Sequence, residues 1–298
     1  MPSLVGSEMC IRDREEISMH ATDQTFQILL SQLLEKVEDR CPECGSEQYV
    51  WQQKNKDGTE RCAPTCWSCG YKMLKKHEQE ATQQRSQESF MARTQKFFHQ
   101  GSLIADDALR QCRLTNYQTT ELETRQAKER ALAAVSAIVE GKPIHVIFSG
   151  KPGVGKSHLA ISILVEVLER SAYQKYCLFV SYSELLEKLK MSMNESAKSQ
   201  AKAQAYITRM KKADVLVLDD LGAELGIKNK VSTDFNNDIL NRILEARQNK
   251  ATIFTTNFSG KQLVEAYGTR IISRLMKHAS GYVFQYKDTT DKRMRSVK

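Results

Sequence analysis

Eight residues constrain the fold of this chain more than any others. Gly150 to Ser157 reads GKPGVGKS and satisfies G-x-x-x-x-G-K-[ST] without adjustment. Such a loop needs a strand that delivers it and a helix that leaves it: the helix N-terminus aims free amides at a polyphosphate, and the glycines let the backbone come close. Both neighbours are present. The apolar run His145 to Ser149 precedes the loop, and the amphipathic stretch HLAISILVEVLER follows it. Lys156 is placed to reach β and γ oxygens, and Ser157 to ligate Mg²⁺. The expected nucleotide-contacting set is Gly150, Lys151, Pro152, Gly153, Val154, Gly155, Lys156, Ser157 and His158, with ATP and Mg²⁺ as cofactors.

The second half of such a site is an apolar strand ending in a carboxylate, and Asp214 to Gly222 reads DVLVLDDLG, about 60 residues downstream. Val215 to Leu218 are suited to a strand buried on both faces. Asp219 then holds Mg²⁺, directly or through water, and Asp220 orients an attacking water. A third strand, ATIFTTN, ends on Asn257, at the edge where doubly wound sheets bind ligands. Asn257 either positions that water or senses the γ-phosphate, or else caps the SGKQLVEAY helix. In YGTRIISRLMKHA, Arg270 and Arg274 are four apart and share a helix face. Guanidinium groups so spaced can reach a phosphate held by a neighbouring subunit, and which of the two does so stays open. The catalytic set is therefore Lys156, Asp219, Asp220, Asn257, Arg270 and Arg274. The fold class is α/β, a three-layer αβα sandwich with five parallel strands near 145–149, 176–181, 214–219, 251–256 and 282–286.

The N-terminal third obeys different rules. Cys41, Cys44, Cys62, Cys66 and Cys69 crowd into 29 residues, with two Cys-x-x-Cys knuckles 21 residues apart. Each knuckle points two thiolates at one centre, and four thiolates suit a closed tetrahedral Zn²⁺ site that is structural and not catalytic. The expected zinc ribbon has ligands Cys41, Cys44, Cys66 and Cys69 and a hairpin turning at Asp57-Gly58. Cys62 is an alternative to Cys66, which knuckle geometry favours, and Tyr49, Trp51 and Trp67 are either the ribbon's small core or a contact surface, with core preferred. Residues 75–100 are a polar helical connector in which Phe90, Phe97 and Phe98 form one face, docking within the chain. Residues 121–140 form an amphipathic helix that buries Leu122, Ala127, Ala131, Ala134, Val135 and Ile138 and is stopped by Gly141 and Pro143.

Charge divides along the same line. Residues 1–100 carry 13 basic against 15 acidic side chains, a net −2, and residues 101–298 carry 31 against 21, a net +10. The surplus includes Lys188, Lys190, Lys198, Lys202, Arg209, Lys211, Lys212 and the closing KDTTDKRMRSVK, a distribution suited to salt-sensitive, sequence-independent contact with single-stranded DNA. No apolar run approaches the roughly 18 residues of a membrane span. Residues 1–14 lack a signal peptide's apolar core and cleavage site, so a cytoplasmic location is expected. They also resemble translated adapter DNA, and with Cys10 are set aside as non-native. The expected domains are 15–74 zinc-binding, 75–100 linker and 101–298 ATPase.

Taken in order, GKPGVGKSHLA, VLVLDDLGAE, TIFTTN and YGTRIISRL resemble the AAA+ ATPases of the DnaC/DnaI helicase-loader family, over roughly residues 100–298. A cysteine-knuckle N-terminal domain is similar to the helicase-binding domain of DnaI-type and phage loaders. The resemblance implies an AAA+ sheet with spatial order 5-1-4-3-2. It also implies an N-terminal domain that grips the hexameric replicative helicase for single-stranded DNA, and homo-oligomers with ATP at each interface. Lys156 and Ser157 become the phosphate-loop residues, Asp219 and Asp220 the acidic pair, Asn257 the first sensor, and Arg270 and Arg274 the finger and sensor candidates. Asp220 stands where the wider AAA+ pattern has Glu, which implies slow, switch-like hydrolysis. Two alternatives remain: a transposase-helper ATPase resembling the IstB family, which typically lacks a cysteine ribbon, and a zinc-dependent nucleic-acid-binding regulator that holds ATP only as a ligand.

Overall fold

The computed structural model of the chain describes residues 32–59, 61, 63–193, 195–225 and 232–292. Residues 1–14, Cys62 and the last six residues of the basic C-terminal run lie outside them. The chain divides into two compact units, Met1–Arg85 and Ser86–Lys298.

In the first unit, β1 (Leu34–Arg40), β2 (Glu47–Trp51) and β3 (Thr65–Cys66) form an antiparallel sheet in that order. The hairpin between β2 and β3 pairs Gln48 with Cys66 and Tyr49 with Thr65. Its turn is wider than a two-residue Asp-Gly turn: Asn55 N–H donates to Thr59 O at 2.8 Å, and Asp57 accepts from Thr59 N–H at 3.0 Å. Strand β1 was not expected from the sequence. Helix α1 (Trp67–Gly101) begins at the second knuckle and includes the polar stretch 75–100.

In the second unit a five-stranded sheet is built from β4 (His145–Ser149), β5 (Cys177–Ser181), β6 (Val215–Leu221), β7 (Ala251–Thr256) and β8 (Val283–Gln285). All its pairings are parallel, in the order β5-β6-β7-β4-β8. Numbered along the chain within the sheet, this is the expected 5-1-4-3-2. Burial on both faces explains the continuous apolar runs. Val146, Phe148, Val215, Val217 and Ile253 pack on one side with α2 (Leu122–Val139) and α3 (Lys156–Arg170). Ile147, Leu216, Leu218 and Phe254 pack on the other, against α4 (Tyr182–Ser192), α5 (Ala197–Lys212), α6 (Asp234–Ala246) and α7 (Gly260–Met276). The result is the αβα sandwich.

Two edges of this core are finished by groups from elsewhere in the chain. Leu103 bridges Val180 in parallel and exchanges backbone bonds with Phe179 and Ser181 at 2.8 and 2.9 Å, so the outer side of β5 is covered. Phe90 and Phe97 meet the Tyr176 ring at 5.6 and 5.0 Å, and Phe98 enters the core, which is the expected docking within the chain. At the start of the strands, Arg247 is fully buried. Its guanidinium donates to the carbonyls of Met210, Ala213 and Ala251 at 2.6–2.7 Å and to Thr252 Oγ1 at 3.1 Å, binding the end of α5 to the entries of β6 and β7.

Two expectations about side chains need correction. Leu122 is 71% exposed, because it opens α2 before the helix settles on the sheet, and Thr124 and Ala137 are buried on that face in addition to the expected alanines, Val135 and Ile138. Trp51 and Trp67 are 40% and 55% exposed and form no core: a three-stranded sheet ending in a two-residue strand has too little surface to cover two indoles. Trp67 instead meets Tyr49 at 5.7 Å, and Trp51 lies 6.0 Å beneath the Arg61 guanidinium.

Candidate functional site

The phosphate loop leaves β4 and enters α3 at Gly155, whose φ of +98° is left-handed. A Cβ at Gly155 would stand 2.8 Å from the Tyr117 ring, so only glycine fits both the turn and the neighbour. Lys151 and Pro152 are exposed at the loop's crest, and Val154 is buried beneath it. Lys156 is buried, and its ammonium donates at 2.8 Å each to Gly150 O, Lys151 O and Asn257 Oδ1.

Strand β6 reaches this loop through a bulge. Its register against β7 shifts by one residue between Leu218 and Leu221, and Asp220 adopts a left-handed φ of +59°. Thr255 secures both sides of the irregularity, donating to Asp219 Oδ1 at 2.6 Å and accepting from Asp220 N–H at 2.8 Å. Burial pushes the Asp219 carboxyl above its ordinary range; hydrogen bonds from Thr255 and Ser157 oppose that shift, and the Asp220 charge adds to it. Ser157 and Asp219 thus face each other, the two oxygen donors expected for Mg²⁺. Asn257 donates to Asp220 Oδ1 at 2.8 Å while accepting from Lys156, so one amide links the loop lysine to the second acid. It does not cap α7; that role falls to Ser259, which accepts from Gln262 N–H and forms a capping box with it.

Lys156, Ser157, Asp220 and Asn257 line a cleft of 390 Å³, and Asp219 is buried beside it. Its opposite wall comes from a segment the sequence reading passed over: Asp106, Leu109, Cys112, Asn116, Tyr117 and Gln118. His158 closes the corner, with Nε2 3.0 Å from Arg113 O and its ring 5.2 Å from Tyr117. A carbonyl only accepts, so Nε2 is the donor, and burial lowers the ring's pKa. The available signal was length: a long connection with almost no regular structure inside a compact domain is commonly functional. Lys292, which the sequence placed in a basic run suited to DNA, also lines the cleft.

Arg270 and Arg274 are not among the residues lining this cleft. Gly268, at φ +80°, kinks α7 just before them. Arg270 is exposed. Arg274 is half-buried, hydrogen-bonded to Asn241 Oδ1 and 3.7 Å from Glu245. Lys188, Lys190, Lys198, Lys202 and Lys212 are exposed on α4 and α5; Lys211 and Arg209 are half-buried, with the Arg209 guanidinium 5.8 Å over the Tyr206 ring.

In the first unit, the sulfurs of Cys41, Cys44, Cys66 and Cys69 all lie within 4.8 Å of one another, and Cys44 and Cys66 are 3.5 Å apart. Tetrahedral Zn–S bonds of about 2.3 Å require sulfurs about 3.8 Å apart, so the cluster fits a four-thiolate zinc ion. The knuckles supply the supporting bonds: Gly45 N–H donates to Cys41 O at 2.8 Å, and Cys69 N–H to Cys66 Sγ at 3.1 Å. Hydrogen bonds, first from Ser46 and then from the neighbouring thiols, pull the Cys44 thiol down to about 6. Among the described residues this is the one group of three or more His, Cys, Asp or Glu side chains with metal-binding geometry.

A family model described as IstB-like ATP binding protein matches residues 54–290. The replicative helicase loader DnaC of Escherichia coli (strain K12) is 26% identical over 166 residues, which are 55% of this chain and 62% of that protein, so the chain spans less than two thirds of its length. An ATP-binding protein of insertion sequence IS5376 from Geobacillus stearothermophilus is 27% identical over 140 residues, 45% of this chain and 51% of that protein. Among solved structures, the DnaC helicase loader matches with a TM-score of 0.52 at 24% identity, covering 61% of this chain and all of that one. DnaI matches at 0.50 with 26% identity, covering 64% and 96%. The matched region spans the phosphate loop, the acidic strand and Asn257, and the chain belongs to the family of IstB-like ATP-binding proteins.

Proposed function

We propose that this protein is an ATP-dependent loader of a replicative DNA helicase onto single-stranded DNA. The observation that carries the reading is the convergence of Lys156, Asp220 and Asn257 on one cleft, in a chain related to a protein named as a helicase loader. In this reading the loop and Lys156 hold the nucleotide phosphates, and Ser157 and Asp219 hold Mg²⁺. Asp220 takes the proton of the attacking water, and Asn257 reports the γ-phosphate to both. ATP is hydrolysed between copies of the chain, with Arg270 or Arg274 arriving from the neighbour. Residues 15–74 form the zinc-bearing domain that grips the helicase, 75–100 the linker and 101–298 the ATPase. Zn²⁺ on the four cysteines stabilises the first of these, and the exposed lysines of α4 and α5 contact the DNA backbone.

The test is capture of the cognate hexameric helicase by the full chain, with and without ATP. Absence of a complex in both conditions rejects the loader reading. The insertion-sequence relative favours a second reading, an ATPase that assists a transposase. Capture of a transposase in place of the helicase would select it.

A further inference from the structure

The segment that follows β8 is not part of the motif set, yet it crosses the same cleft. Tyr286 N–H donates to Ser149 O at 2.8 Å, and its hydroxyl hydrogen-bonds that of Tyr117 at 2.9 Å. Beyond it, Glu123 in the first turn of α2 accepts the backbone N–H groups of Lys287, Asp288 and Thr289 at 3.0, 3.2 and 2.9 Å, and Glu121 accepts from Thr290 Oγ1 at 2.9 Å. Three consecutive amides on one carboxylate hold residues 287–289 as a strap across the start of that helix.

The strap ends on the phosphate loop. Lys292 N–H donates to Gly153 O at 3.1 Å, while its ammonium lies 4.4 Å from the Tyr117 ring centroid and donates to Gln118 O at 2.6 Å. Lys292 lines the cleft and Asp291 does not. The Asp291 carboxylate packs instead against Gly153, so closely that a Cβ there would stand 1.8 Å from Asp291 Oδ1. Of two adjacent opposite charges, the strap turns the cation into a cleft built for an anion.

We infer that Lys292 binds the phosphate chain of the nucleotide and that Glu123 is a positioning residue that holds it there by pinning the strap. The inference rests on the nucleotide reading of Gly150 to Ser157. Its physical basis is electrostatic: a phosphate oxygen offers the ammonium a full negative charge where Gln118 O offers only a carbonyl dipole, and the attraction between opposite charges adds to the hydrogen bond.

The experiment measures equilibrium binding of ATP to the full chain and to K292A, K292R, E123A and the E123A/K292A double variant, over a range of NaCl concentrations, with K156A alongside. K292A is expected to weaken ATP binding by about tenfold at low salt. The loss shrinks as salt rises, and K292R recovers most of it. E123A weakens binding less, and the double variant binds no more weakly than K292A, since Glu123 acts through Lys292. Wild-type affinity in K292A overturns the proposal, as does a loss that salt leaves unchanged, which would mean packing on Tyr117. Additive losses in the double variant overturn the role of Glu123. Unaltered binding in K156A would reject the nucleotide reading itself, a different outcome from any of these.

Discussion

Replacing Arg247 by methionine tests how the sheet is anchored at the edge opposite the phosphate loop. The substitution keeps most of the stem's volume and removes every donor. Two effects then oppose each other. Burial pulls the guanidinium down to about 9, so the folded chain carries an unfavourable desolvation at neutral pH that methionine relieves. Against this, the carbonyls of Met210, Ala213 and Ala251 lose donors at 2.6–2.7 Å, and only Ala213 O keeps another side-chain donor, Lys250 Nζ at 3.4 Å. Each orphaned buried acceptor costs about 1–3 kcal/mol, and bonds to a charged donor sit at the upper end. Asp214, the carboxylate whose charge acts on Arg247, is exposed and keeps its bond from Tyr176 N–H, so it is not stranded. Three short bonds outweigh one relieved charge, for a net loss of about 3 kcal/mol. With a urea slope of about 2 kcal/mol/M, the unfolding midpoint falls by about 1.5 M. Lysine at 247 supplies a charge without the planar fork and falls between the two. A methionine variant within about 0.3 M of wild type would show that the carbonyls do not depend on this side chain.

Three further outcomes follow from the site. Asn257→Ala removes the amide between Lys156 and Asp220; single-turnover hydrolysis should fall by about 10²-fold while ATP affinity moves less than about threefold, and a wild-type rate would remove Asn257 from the chemistry. Arg274→Ala loses its bonds to α6 and should lower thermal stability by about 1 kcal/mol, whereas Arg270→Ala should leave the melting temperature unchanged, so a hydrolysis defect in Arg270→Ala is free of a folding defect and one in Arg274→Ala is not. Metal analysis should find one zinc per chain, lost in Cys66→Ser together with the compactness of residues 32–69 by limited proteolysis; a metal-free chain of equal protease resistance argues against the ribbon.

How much of this was legible follows from the range of the contacts. The central strands were readable because burial on both faces leaves continuous apolar runs such as VLVL, and the loop because its chemistry is local. Strand β1, LEKVEDR, carries charges at five of seven positions and presents no alternation. The second wall of the cleft was hidden for another reason: Tyr117 meets Tyr286 across 169 residues and Lys292 meets Gln118 across 174, separations at which no spacing rule operates. The exposed indoles of the first unit were misjudged because hydrophobicity names what is buried only when enough surface exists to bury it.

The bulge in β6 bears on which residues position 220 tolerates. A left-handed backbone is several-fold enriched in Asp and Asn among residues with a side-chain Cβ, and long side chains are strained there. The short acid that departs from the wider AAA+ pattern is therefore the acid this conformation accepts. Lengthening it to Glu would shift the local backbone as well as extend the carboxylate, confounding reach with strain. Asparagine keeps the turn and discards only the charge, so among substitutions at 220 it alone separates what the carboxylate does from what the backbone requires.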